Sequence, residues 1–153
     1  MTIEIRAGGL DHPAVQTLLA EHVRFGRAHS PAENTHVLAA DELKSHAITF
    51  WSAWDDEALA GFVALKELAA DHAEVKSMRT APGHLRRGVA RALLARIMEA
   101  ARARGCTRLS LETGTAPSFG PANALYEASG FVDGPVFGGY PPSPHNRFMT
   151  LLF

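Results

Sequence analysis

The chain has 153 residues, 46% hydrophobic and 20% charged, which suits one globular domain over 1–153 and excludes a disordered chain. Fifteen Lys and Arg against sixteen Asp and Glu leave a net charge of −1, which excludes a bulk polyanion binder but not a local anion site. One cysteine, Cys106, rules out an intrachain disulfide framework, and Glu4 and Arg6 break any apolar leader, so a soluble cytoplasmic protein with no membrane span is expected.

Thr2–Arg6 alternates as a strand that Gly8-Gly9 closes. Asp11 is the expected N-cap of the next helix, with Pro13 just inside it and Val15, Leu18, Leu19, His22 and Val23 at helical spacing. Gly26 is expected to stop that helix, Gly26–Thr35 to be a loop, and Asp41–Ala47 to form a second helix. Ile48–Trp54 and Ala58–Leu68 read as two strands around the turn Asp55-Asp56-Glu57, and residues 72–80 as a third that ends at Pro82-Gly83. On that third strand strict alternation puts Glu74, Lys76 and Met78 on one face, and Ala73, Val75 and Ser77 on the other.

The strongest helix follows. Val89, Ala90, Leu93, Leu94, Ile97, Met98 and Ala101 form one apolar stripe, Arg102 and Arg104 suit the last turn, and Gly105 ends it. Thr107–Glu112 is a strand, and Ser118–Pro121 supplies start signals for a helix to Ser129, with Gly130 beyond. A Gly- and Pro-rich loop, 134–144, leads to a closing strand at Phe148–Phe153. The order β-α-α-β-β-β-α-β-α-β points to a mixed sheet with helices on both faces. Trp51 and Trp54, three apart on a strand, face opposite sides, and one of them is expected in the core. The eight histidines contain no His-x-x-x-His pair, so no metal site is expected, and Cys106 reads as a small buried residue.

Three segments carry chemistry. In Leu85–Ala90, Gly88 and a helix start aim backbone N–H groups outward, where the dipole favours a phosphate; Arg86, Arg87 and Arg91 add charge. In Leu125–Phe131, Tyr126 shares a helical face with apolar neighbours. Glu74 lies on the strand before the first segment. Each has a bland reading as well: a solvated helix start, a core tyrosine, a paired strand carboxylate.

Taken together, in this order and spacing, they resemble the GNAT superfamily of acyl-CoA-dependent N-acetyltransferases. Gly88 and Ala90 match its phosphate-loop pattern, with Leu85 in place of the usual Gln or Arg, and Leu125, Tyr126, Gly130 and Phe131 match its late helix. The resemblance spans residues 2–153 in element order and is sharpest over 73–131. Phe119 stands where many members carry an asparagine, seven residues before the tyrosine, although Asn123 is near. The fold so implied is a single-domain α/β GNAT fold, a mixed, mostly antiparallel central sheet with helices on both faces. The activity implied is acetyl transfer from acetyl-CoA, as co-substrate, to a primary amine of a small molecule or amino acid within a ternary complex. The alternatives are a protein Nα or lysine acceptor, or a CoA-binding regulator without chemistry.

The resemblance also implies roles. The diphosphate lies on the N–H groups of Arg87–Arg91, among Arg86, Arg87, Gly88, Val89, Ala90 and Arg91. The pantetheine arm pairs with the main chain of Met78, Arg79 and Thr80, beside a bulge, and Asn123 lies close by. Glu74 is the base by position, with Glu112 in reserve, and Tyr126 faces the leaving thiolate. Tyr140, Ser143, His145 and Asn146 are candidates to close over the acceptor, with Phe25–His36 as the opposite wall. The partners implied are a small amine and, through sheet pairing, a second copy; no nucleic acid fits, because no aromatic residue interrupts the Arg79–Arg108 run. Residues 1–75 carry five basic and twelve acidic side chains and residues 76–153 carry ten and four, a split that suits an anionic co-substrate meeting a cationic amine.

Overall fold

The computed structural model describes residues 2–31, 42–45 and 47–153, and within them the alternating N-terminal stretch forms strand β1 (Ile3–Ala7). Helix α1 (Pro13–His29) has its proline in the first turn, but the cap is His12 and not Asp11. The His12 Nδ1 accepts from the Ala14 N–H at 3.1 Å while Trp54 meets the ring edge-on at 4.7 Å; Asp11 instead pairs with Lys44 at 3.1 Å. Gly26 does not end the helix. It is a buried position inside α1, where the penalty of about 1 kcal/mol for an interior glycine is met by the packing of the helix, and His29 bonds the Phe25 carbonyl at 2.8 Å near the end.

The helix expected over Asp41–Ala47 is a single 3-10 turn, Glu42–Lys44, in which only Leu43 is buried, too little apolar surface to hold several turns. Asp41 and His46, and the expected loop beyond Pro31, lie outside the described residues. Strands β2 (Ile48–Asp55), β3 (Ala58–Ala69) and β4 (His72–Thr80) form the antiparallel meander. Helix α2 (Val89–Ala103), strand β5 (Arg108–Gly114) and helix α3 (Gly120–Ala128) follow, then a two-residue strand that the pattern did not announce, β6 (Val132–Asp133), and β7 (Asn146–Leu152). Ser118 is not the cap of α3: a 3-10 turn, Pro117–Phe119, leads into the helix and no side chain caps it.

The sheet runs β1-β2-β3-β4-β5-β7-β6 and is antiparallel except between β4 and β5. Helix α2 buries Val89, Leu93, Leu94 and Ile97 on one face, joined by Tyr126 and Phe131; α1 buries Val15, Leu18 and Leu19 on the other, over Phe50, Phe62 and Ala64. Because both faces are covered, both tryptophans are core residues, Trp51 under α2 and Trp54 under α1. Each fully buried aliphatic side chain in these layers contributes about 1.5–3 kcal/mol.

Two backbone features open the sheet. β4 and β5 pair only from His72–Glu74 against Arg108–Ser110, and beyond that point the strands separate. On its other side β4 pairs Val75 with Leu65 and Ser77 with Ala64, so Lys76 is the extra residue of a bulge. The bulge reverses the alternation expected for β4. Ser77 and Arg79, opposite Ala64 and Phe62, join Glu74 on the α1 face, while Met78 joins Val75 on the α2 face.

Gly61 of β3 brings α2 down onto this region. A Cβ there would stand 2.7 Å from the Arg79 carbonyl oxygen, 3.1 Å from Val89 and 3.2 Å from Leu93. Gly61→Ala therefore destabilises the protein by about 1–3 kcal/mol through overpacking, with a melting temperature several degrees lower in thermal denaturation. An unchanged melting temperature would show that α2 and β4 yield freely.

Candidate active site

The fork between β4 and β5 is the mouth of a cleft of about 680 Å³, walled by α1, β4, β5 and α3. Glu74 lies at the apex, the last residue of β4 paired with β5, and is 2% exposed. Its Oε2 accepts from the Tyr140 hydroxyl at 2.7 Å and lies 3.8 Å from the Lys76 ammonium, which also donates to the Tyr140 hydroxyl. Burial pushes the Glu74 carboxyl up, against the opposing pull of Lys76 and the Tyr140 hydrogen bond. The same burial pushes Lys76 down and Tyr140 up, the latter aided by the Glu74 charge.

Tyr140 is brought in by the loop between β6 and β7, which is stapled to β5. The Asn146 amide donates to Glu112 at 3.1 Å and to the Pro141 carbonyl at 3.0 Å, and Thr115 donates to the Pro144 carbonyl at 2.7 Å. Glu112 and His145 line the cleft; Tyr140 stands behind Glu74, and Ser143 bonds Asn146.

Among the described residues four buried side-chain polar atoms lack a hydrogen-bond partner: His22 Nδ1, Glu74 Oε1, Ser77 Oγ and Ser118 Oγ. All four belong to residues that line this one cleft. Orphaned buried polar atoms are rare in folded proteins, and here they converge on one cleft where a ligand or water can meet them. Tyr126 also lines the cleft from the core side; its ring lies edge-on to Phe131 at 5.9 Å, and burial pushes its phenol up to about 12. Opposite, Phe25 of α1 meets Phe119 edge-on at 5.4 Å. Gly114 allows this wall, since a Cβ there would come within 2.3 Å of the Phe119 ring.

A second hollow of about 400 Å³ continues from the cleft past Thr80, Arg86, Gly88, Val89, Ala90 and Arg91. Gly88 caps α2 with φ +81°, no side chain caps the helix, and a Cβ on Gly88 would point into open space. Arg86 is left-handed as well, at φ 60°. The first N–H groups of α2 have no intrahelical acceptor, so a cradle of backbone donors with flanking arginines faces the hollow. It fits a diphosphate, and the groove between the separated strands fits an extended arm.

Met78, Arg79 and Thr80 line the cleft; Arg87 borders neither hollow. Asn123 is engaged within the fold: it accepts from Thr113 at 2.9 Å and donates to the Gly114 carbonyl at 3.1 Å. Phe25 stands in the wall that the resemblance implied for Phe25–His36, and Phe119, noted for its place before Tyr126, faces it; His22, Ser77 and Ser118 are among the lining residues that sequence reasoning did not assign to the site. Helical spacing read His22 as one more inward position, and the bulge hid Ser77.

A forked β4–β5 pair with a glycine-capped helix at its mouth defines the class. Residues 15–131 match the acetyltransferase (GNAT) family, and the chain belongs to that family. It is 47% identical over 147 residues to the uncharacterized N-acetyltransferase YedL of Escherichia coli (strain K12), covering 96% of this chain and 92% of that protein. With the uncharacterized N-acetyltransferase YsnE of Bacillus subtilis (strain 168) the identity is 46% over 148 residues, covering 97% and 98%. The fold superposes on PaiA N-acetyltransferase from Thermoplasma acidophilum, solved in complex with coenzyme A, with a TM-score of 0.74 over the whole of both chains at 20% identity. The protein is thus an acetyl-CoA-dependent N-acetyltransferase.

Proposed function

We propose that the protein moves the acetyl group of acetyl-CoA onto a primary amine of a small molecule or amino acid, by direct attack in a ternary complex. The observation that carries this reading is Glu74 at the apex of the fork, with Oε2 held by Tyr140 and Oε1 unengaged in the cleft. Oε1 takes the proton of the incoming ammonium, directly or through a water. That deprotonation costs about 1 kcal/mol at pH 7 for an α-amine of pKa ~8, but about 4–5 kcal/mol for a lysine-like amine. The raised Glu74 carboxyl narrows the gap between base and amine.

The cradle at Gly88 holds the diphosphate, and β4 from Met78 to Thr80 lies along the pantetheine arm. A main-chain N–H near Met78 stabilises the oxyanion as the amine nitrogen bonds to the acetyl carbon and the C–S bond breaks. With its phenol at about 12, Tyr126 would lose about 5 kcal/mol by surrendering its proton to a thiolate of pKa ~8.5. Its role is therefore to donate a hydrogen bond to the departing sulfur, not to protonate it.

Acetyl-CoA at about 100 times its Kd adds about 2.7 kcal/mol to stability, so the melting temperature rises by several degrees at millimolar acetyl-CoA. Free thiol then appears when a small amine is added. A thermal shift without thiol release on any amine, or no shift at all, overturns the reading.

A further inference from the structure

Resting on the transferase reading, we propose that the acceptor is an amine that also bears a carboxylate, and that Arg79, Ser77 and His22 form the subsite for that carboxylate while the amine faces Glu74. The Lys76 bulge creates this arrangement. It turns Ser77 and Arg79 onto the same face of β4 as Glu74, beneath α1. The His22 ring of α1 meets Phe62 edge-on at 5.7 Å, and Phe62 is the residue paired with Arg79. One turn further along α1, Phe25 carries the Arg79 guanidinium 4.7 Å from its ring centroid. His22 and Phe25 thus cover the Ser77–Arg79 segment from above.

The groups gathered there are those an anion needs. Arg79 makes no hydrogen bond or ion pair among the described residues: its guanidinium lies over Phe25 with the Glu21 carboxylate in its field, and no described residue takes up its fork of N–H donors. Ser77 Oγ and His22 Nδ1 are buried without partners among the described residues. Burial and the Arg79 charge hold His22 down at about 4, so at neutral pH the imidazole is uncharged and the subsite's positive charge is that of Arg79, opposed by Glu21. A planar guanidinium beside a hydroxyl and a neutral imidazole suits a carboxylate, which takes two parallel N–H bonds from the fork. The diphosphate of acetyl-CoA is accounted for elsewhere, by the cradle at Gly88. Glu74 and Ser77 lie roughly 7–10 Å apart along the strand at about 3.3 Å per residue, so acids with amine and carboxylate at several separations belong in the test.

The test compares L-phenylalanine, L-methionine, β-alanine and 4-aminobutyrate, each against its own primary carboxamide, by thiol release at saturating acetyl-CoA. At least one acid is expected to exceed its amide by tenfold or more in kcat/KM. Arg79→Gln should bring that ratio close to one, Arg79→Lys should restore part of it, and Ser77→Ala should lower it with little effect on melting temperature. Calorimetric titration of the same acids and amides into CoA-saturated protein reads the subsite without turnover. Amides equal to acids in both assays, or Arg79→Gln weakening acetyl-CoA while leaving the acid preference intact, overturns the subsite. Acetyl transfer to simple amines without acid preference refutes the subsite and leaves the transferase reading standing. Acid-selective binding lost in Arg79→Gln, with no transfer to any amine, does the reverse.

Discussion

Glu74→Gln lowers kcat by about 10²–10⁴-fold, the range that removal of a positioned general base produces, while acetyl-CoA still raises the melting temperature. Gln retains a carbonyl oxygen to accept from Tyr140 but cannot take a proton. The wild-type pH profile supplies the second readout. A base acts in its ionised form, and burial raises the Glu74 carboxyl above its ordinary range, so activity climbs with pH through that elevated pKa and then levels off. In the Gln variant this limb disappears, and the residual rate follows the ionisation of the amine itself. Steady-state kinetics from pH 5 to 9 on both proteins decides the matter. An unaltered kcat would transfer the base role to Glu112 or to solvent.

Gly88→Glu abolishes acetyl-CoA binding in a calorimetric titration. The residue sits at φ +81° with open space where a Cβ would project, so any side chain enters the hollow beside the orphan N–H groups of α2. A carboxylate about 5 Å from a phosphate charge costs about 3 kcal/mol at an effective dielectric constant of ~20, a loss of more than ~100-fold in affinity. The left-handed backbone adds about 1–2 kcal/mol of strain for a side chain with a Cβ, which lowers the melting temperature but leaves a folded protein. Gly88→Asn separates the two effects, because asparagine tolerates this conformation and brings no charge. It should bind acetyl-CoA more weakly than wild type and far better than the Glu variant. Wild-type affinity in Gly88→Glu would place the diphosphate elsewhere.

Between them these residues show what a linear reading can reach. Gly88, the stripe from Val89 to Ala101 and the Gly130 end of α3 are local features. A left-handed cap and a helical period are properties of consecutive residues, and they located the glycine cap at Gly88 and the helix behind it. Glu74 was legible as a residue, through its spacing from that cradle. Its chemical state was not, because Tyr140, which holds it, lies 66 positions away on a loop with no period. Asn123 marks a further limit of a linear reading: four residues beyond Phe119 by number, it is engaged within the fold by Thr113 and Gly114 of β5.

The sequence by itself determined helices α1 to α3, the strands other than β6, the mixed sheet with both faces covered, the glycine-capped start of α2 and the family, since these follow from short-range pattern and spacing; it put a helix over Asp41–Ala47 where a single 3-10 turn stands, and it did not announce β6. The tertiary structure alone decided which side chains meet in the cleft. Pairing with β3 makes Lys76 a bulge and reverses the facing of Ser77, Met78 and Arg79, and the parting of β4 from β5 after Glu74 opens the groove. Strand register is a property of two chain segments at once, so one-residue alternation along β4 could not reveal it. His22 and Phe25 reach that segment only because α1 packs across the sheet, and the burial that tunes Glu74, Lys76 and His22 exists only once the layers have closed.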